Sequence, residues 1–184
     1  FKTTFWLLAM AALLAGAVQL SRRVDNLRLR EHPAAERFLD VQAESVDRLT
    51  VLTPDYRVVC VRHKGGWRIA EPLDTWADKA AVDRMLSALE SLSGKEIITH
   101  EQRRARALSL ADYGLMAPRI RIGVTDRLKT RVLFVGDEAP LGDLRYVRVV
   151  GAPDVIGVPR EFADVLPPRL DGFRDRALLH GNVG

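Results

Sequence analysis

In a succession of short segments between residues 45 and 158, apolar and polar side chains alternate with a period of two. Only over residues 78–93 does the period lengthen to that of a helix. A chain written this way folds around a sheet, with one helix available to cover it. The first strand is expected at 45–53, with Val46, Leu49, Val51 and Thr53 mostly on one side and a break near Asp47-Arg48. A second follows at 56–62. Lys64-Gly65-Gly66 reads as a hairpin turn that returns the chain through Trp67-Arg68-Ile69, and Pro72 ends that strand.

Val82, Met85, Leu86, Leu89 and Leu92 then recur at helical spacing, with Asp78 as N-cap and Gly94 as the stop. A strand is expected at 95–101, a polar link at 102–106, and one helical turn at 109–113 ending at Gly114. Alternating strands follow at 119–125, 130–135 and 144–150, with turns at Gly136-Asp137-Glu138 and Gly142-Asp143. A short strand at 154–158 leads through Pro159 into a short helix at 160–166. Strands, one helix, then strands again predict an α+β fold with a largely antiparallel sheet. The absence of a βαβ run argues against a doubly wound nucleotide fold.

Composition narrows the class. A chain of 184 residues that is 47% hydrophobic holds one folded domain plus a tail or anchor, and is neither disordered nor low-complexity. One Cys excludes a disulfide framework and a multi-cysteine zinc site. The 28 basic and 24 acidic side chains leave a net charge of +4, far from the concentrated charge of a nucleic-acid binder.

The N-terminus differs from the rest. Residues 5–20 carry no charge and would span about 24 Å as a helix, short of the ~30 Å hydrocarbon core. Adding residues 1–4 reaches the needed length, with Lys2 snorkelling at one interface, Arg22 and Arg23 at the other, and Trp6 near the Lys2 side. A cleaved signal peptide would use Ala15-Gly16-Ala17. A lipoprotein signal would need Cys where Ala17 stands, and a pilin-like start would need Glu where Phe5 stands. The reading adopted is an uncleaved anchor at 1–21, in a chain trimmed ahead of Phe1. Ala11, Ala12, Ala15 and Gly16 then form a small-residue face for packing on a partner's helices. An Arg-rich juxtamembrane stalk is expected at 22–43, a folded domain at 44–179, and a tail at 180–184.

No phosphate loop, nucleophile elbow or clustered metal ligands occur. His32, His63, His100 and His180 stand singly, and Cys60 lies among valines as a small buried hydrophobe. Hence no catalytic residue, cofactor or metal is expected. Arg119, Arg121, Arg131, Arg145 and Arg148 lie on neighbouring strands, and are read either as a solvated sheet face or as an anionic-ligand face.

A resemblance is carried by short motifs. Gly65-Gly66-Trp67-Arg68-Ile69, Glu71-Pro72 and Ala77-Asp78 at the helix start form one half. Asp112-Tyr113-Gly114-Leu115, Pro118, Tyr146-Val147-Arg148, Val155 and Phe173-Arg174-Asp175-Arg176 form the other. Over residues 44–179 the chain resembles the bacterial domain-of-unknown-function family anchored by one N-terminal span and associated with gliding-motility-type ABC transporter auxiliary proteins. That resemblance implies a non-catalytic accessory or scaffold subunit whose partners are a permease/ATPase complex and membrane lipid. It brings no catalytic residues, and in tandem relatives the Phe173 motif leads into a next copy. Independently of it, Trp67 and Pro72 are read as structural, as are Tyr113, Gly114, Leu115 and Pro118. The alternative reading is an envelope glycan- or lipid-binding module that uses the Arg-bearing strand face.

Topology is contested by two arguments. Arginines after the span favour a cytoplasmic domain. The resemblance and the signal-like segment favour N-terminus inside and domain outside the bacterial inner membrane, which is the orientation adopted.

Overall fold

The structure, a computed structural model, describes residues 38–127 and 129–175. The expected anchor lies outside those residues, as do most of the expected stalk and the tail. Among the described residues no helix is long and apolar enough to cross a membrane.

Among the described residues nine strands form one sheet in which every pairing is antiparallel, in keeping with the alternation. In chain order they are β1 (Val46–Leu52), β2 (Arg57–His63), β3 (Gly66–Glu71), β4 (Thr75–Trp76), β5 (Glu96–Ile98), β6 (Ile120–Asp126), β7 (Lys129–Glu138), β8 (Leu144–Val149) and β9 (Val155–Pro159). Their order across the sheet is β4-β3-β2-β1-β6-β7-β8-β9-β5. The β1 register against β6 shifts between Val46 and Arg48, a bulge where the alternation breaks. The β2–β3 turn is tighter than expected: Lys64 (φ 43°) and Gly65 (φ 82°) make it, and Gly66 already pairs with His63.

The main helix, α1 (Lys79–Glu90), starts where Asp78 accepts a hydrogen bond from the Ala81 amide. Val82, Met85, Leu86, Leu89 and the following Leu92 are buried against the sheet. Each such side chain contributes about 1.5–3 kcal/mol. The helix stops before Gly94, at Ser91, whose hydroxyl bonds the Ser87 carbonyl. Gly94 serves a different purpose, since a Cβ there would come within 2.8 Å of Ile156.

Three further expectations are corrected. Residues 99–106 are not a strand end and a polar link. Thr99 and Gln102 form a reciprocal capping box that starts α2 (His100–Ala105). Gly136-Asp137-Glu138 is not a turn, because β7 runs through it with a register shift between Val135 and Glu138. The fold also begins earlier than 44: Leu39 and Val41 are buried in the main core.

That core lies between α1 and one face of the sheet. A smaller cluster (Ile98, Tyr113, Leu115 and Val155, joined by Phe134 and Tyr146) sits at the β7–β9–β5 end. The remainder of the second face is where candidate functional residues collect.

Candidate interaction surface

Strand alternation combined with cross-strand register assigns the arginines to faces. Arg131 pairs with buried Val124, and Arg145 with buried Val158, so both stand on the α1 side of the sheet. Each is neutralised there: Arg131 meets Asp40 at 3.0 Å, and Arg145 meets Glu138 at 2.5 Å. Arg121 and Arg148 stand on the opposite face, both opposite Phe134, with each guanidinium 5.6 Å from that ring centroid. Arg119 precedes β6 and is exposed. The five arginines proposed from the sequence therefore do not share one face.

The open face instead recruits arginines that the sequence reading did not group. Register aligns its side chains in three rows running across the strands. The first row is Arg68, Val61, Arg48, Thr125 and Thr130, with Trp76 beyond Arg68. The third is Arg57, Leu52, Arg121, Phe134 and Arg148. Between them the middle row, Val59, Thr50, Gly123 and Val132, carries no arginine; Glu71 stands at its β3 end.

Val59, Val61 and Val132 belong to neither apolar cluster. Among the described residues, Arg57 pairs with Glu71 at 3.2 Å, and Arg68 binds Asp74 through two nitrogens at 3.1 and 2.6 Å. No ion pair joins Arg48, Arg121 or Arg148 to a carboxylate among those residues. Arg148 donates to the Ala152 carbonyl at 3.4 Å, while its buried Nε has no partner among them. At the β4 end, exposed Trp76 is flanked by the Arg68 guanidinium at 5.4 Å and the His63 ring at 5.9 Å.

Most of the motif residues pack into the fold. Trp67 is buried, with Arg62 stacked 4.6 Å over its ring, and Asp78 caps α1. Pro72 follows the last residue of β3. Tyr113 packs edge-on against Tyr146 at 4.9 Å, Leu115 and Pro118 are buried, and Gly114 holds φ 65°. A Cβ on Gly136 would stand 2.1 Å from the Tyr113 carbonyl, so the 112–115 turn and the β7 bulge are a matched pair. The Ser109 amide and hydroxyl, both donating to Asp112, hold its carboxyl below the usual range and brace that turn.

In the β1–β2 connection, the Tyr56 hydroxyl donates to the Pro167 carbonyl at 2.6 Å, and Tyr56 lines two clefts of about 440 and 350 Å³. Burial and neighbouring Asp55 push the Tyr56 phenol up to about 12. Burial alone does the same to the Cys60 thiol, opposing the low pKa that a reactive thiolate needs. Among the described residues no three His, Cys, Asp or Glu side chains gather as metal ligands.

Comparison with known proteins gives one match. The family model described as "Domain of unknown function (DUF4340)" matches residues 67–182. No curated protein matches the chain. No solved structure matches it either.

Proposed function

From the premise that this chain belongs to the DUF4340 family, we propose a non-catalytic accessory or scaffold subunit of an ABC-transporter-like envelope complex. In this reading the charge-free segment 5–20 anchors it once in the bacterial inner membrane, with the N-terminus cytoplasmic and the sheet domain outside. Ala11, Ala12, Ala15 and Gly16 pack on helices of the permease, with lipid around them. The reading assigns no catalytic residue, cofactor or metal.

The observation that carries it is the open sheet face. A row of small and β-branched residues lies between two rows that carry arginines. Among the described residues its half-buried Thr50, Gly123 and Val132 belong to neither apolar cluster, while Val59 at its β2 end is buried. Such a face fits a surface that a neighbouring subunit covers.

Purification of the full chain from its native membrane in mild detergent tests the reading. A permease or ATPase retained at fixed stoichiometry is expected, and a chain that elutes with no companion overturns it. Alkaline phosphatase fused after Asp175 should be active if the domain is outside. A silent phosphatase with an active cytoplasmic reporter at the same site reverses the topology.

One observation favours the envelope glycan- or lipid-binding alternative: Arg121 and Arg148 flank Phe134, pairing cations with an apolar platform. Under that alternative, binding of envelope glycan or anionic vesicles falls in Arg121→Ser and Arg148→Ser, and no companion subunit is needed.

A further inference from the structure

The three rows have dimensions. Arg48 and Leu52 lie four residues apart on β1, as do Thr125 and Arg121 on β6, so the outer rows run about 13–14 Å apart. In the third row, arginine alternates with an apolar residue from strand to strand: Arg57, Leu52, Arg121, Phe134, Arg148. Successive arginines there recur about every 9.5 Å, twice the strand spacing. The floor between is shallow, because Gly123 has no side chain and its neighbours in the row are Thr50 and Val132. The result is a trough with a low floor of Thr50, Gly123 and Val132, closed at its β2 end by buried Val59. Its rails carry Arg48 and Arg68 on one side and Arg57, Arg121 and Arg148 on the other.

We propose that this trough seats an acidic amphipathic α-helix of a protein partner, laid across the strands. A helix is about 10–12 Å in diameter, which the rails admit. Its apolar stripe would cover the floor. Acidic side chains at i and i+7 along one flank stand about 10.5 Å apart, within reach of long arginines spaced about 9.5 Å. Arg48, Arg121 and Arg148, which no carboxylate among the described residues neutralises, set the sign of the partner. A second copy fits poorly. Facing the trough with itself opposes arginine to arginine, and the apolar stripe of α1 is already buried in its own core. A bare polyanion would use the rails and ignore the floor.

This inference rests on the accessory-subunit reading for its partner, but its test needs no transporter. The probe is a fluorescein-labelled, stapled helical peptide with leucines on one face and glutamates along both flanks. It is titrated against the purified full chain in detergent, alongside a glutamine-for-glutamate twin, heparin and phosphatidylglycerol vesicles. Saturable binding of the acidic helix is expected, weakened about tenfold or more in the twin and in the double variant Arg48→Glu/Arg121→Glu.

The second variant is Gly123→Val, which raises the floor and leaves every charge in place. A Cβ there meets only the Thr50 side chain, at an ordinary 3.6 Å, and a thermal midpoint near the parent's shows that the sheet holds the added methyls. About tenfold weaker binding of the acidic helix by this variant supports a seated helix. Binding unchanged in Gly123→Val, or heparin or vesicles bound as tightly as the peptide, overturns the proposal in favour of a general anion face. No saturable peptide binding overturns it outright. Probe binding without a co-purifying companion defeats the subunit reading alone. A companion that co-purifies undiminished with Arg48→Glu/Arg121→Glu defeats the trough alone.

Discussion

The two faces of the sheet come from the same strands and the same alternation, yet they have different fates. On one face Leu49, Cys60, Ile122, Leu133 and Val147 meet α1 and are sealed. On the other, Val61, Val132 and Phe134 remain half-exposed among arginines. The first face shows what this chain does with apolar residues when it owns a helix to cover them. The second shows Val61 and Val132 placed where, among the described residues, neither core reaches, and Phe134 at the margin of the smaller cluster. Stability should therefore depend on the first face, and recognition on the second.

The sharpest way to break that division is Leu86→Ala. Leu86 is 1% exposed at the centre of the α1 interface, so chemical denaturation should show a loss of about 2–5 kcal/mol. A loss below about 1 kcal/mol would mean that α1 does not seal the core. Next is Gly136→Val, which pushes a side chain into the Tyr113 carbonyl and should cost about 1–3 kcal/mol, read as a lower thermal midpoint.

Alkaline pH probes the sealed face differently. With the Cys60 thiol and Tyr56 phenol both pushed up to about 12, the folded chain keeps protons that the unfolded chain releases near 9.0 and 10.0. Their contribution is whole below pH 9 and drains away as pH climbs towards 12. Thermal midpoints should fall across that window, and in Cys60→Val the fall should start later, near 10. Asp78→Ala removes the α1 cap and should cost about 1 kcal/mol by denaturation. Smallest of all, Arg121→Ser and Gly123→Val on the open face should leave stability within about 0.5 kcal/mol of the parent. A loss above about 2 kcal/mol from either would show the open face to be structural.

Local signals were legible wherever one segment decides its own conformation. Asp78 caps because an Asp ahead of an apolar stripe has amides to accept from, and Lys64-Gly65 turns because positive φ suits glycine. The capping box at Thr99 and Gln102 was equally local. Periodicity does not mark it, because α2 is short and polar, with buried Arg103 in place of an apolar stripe. The candidate surface was only partly legible. Arg145 and Arg148 are three positions apart, an odd offset, so a regular strand must point them to opposite faces. No such parity relates Arg48 to Arg121, which lie on different strands.

What the sequence determined by itself was the alternation, and with it an antiparallel sheet, one amphipathic helix and a continuous apolar row facing α1. These follow from the repeat period of each segment, a property the chain carries before it folds. Which arginines share a face was decided only by tertiary structure, because facing depends on strand order and register. Those are set by the β1 and β7 register shifts, by the seating of the 112–115 turn on β7, and by the cover that α1 gives to one side alone. The trough of Thr50 and Gly123 between arginine rails exists because β6, distant in sequence, pairs with β1.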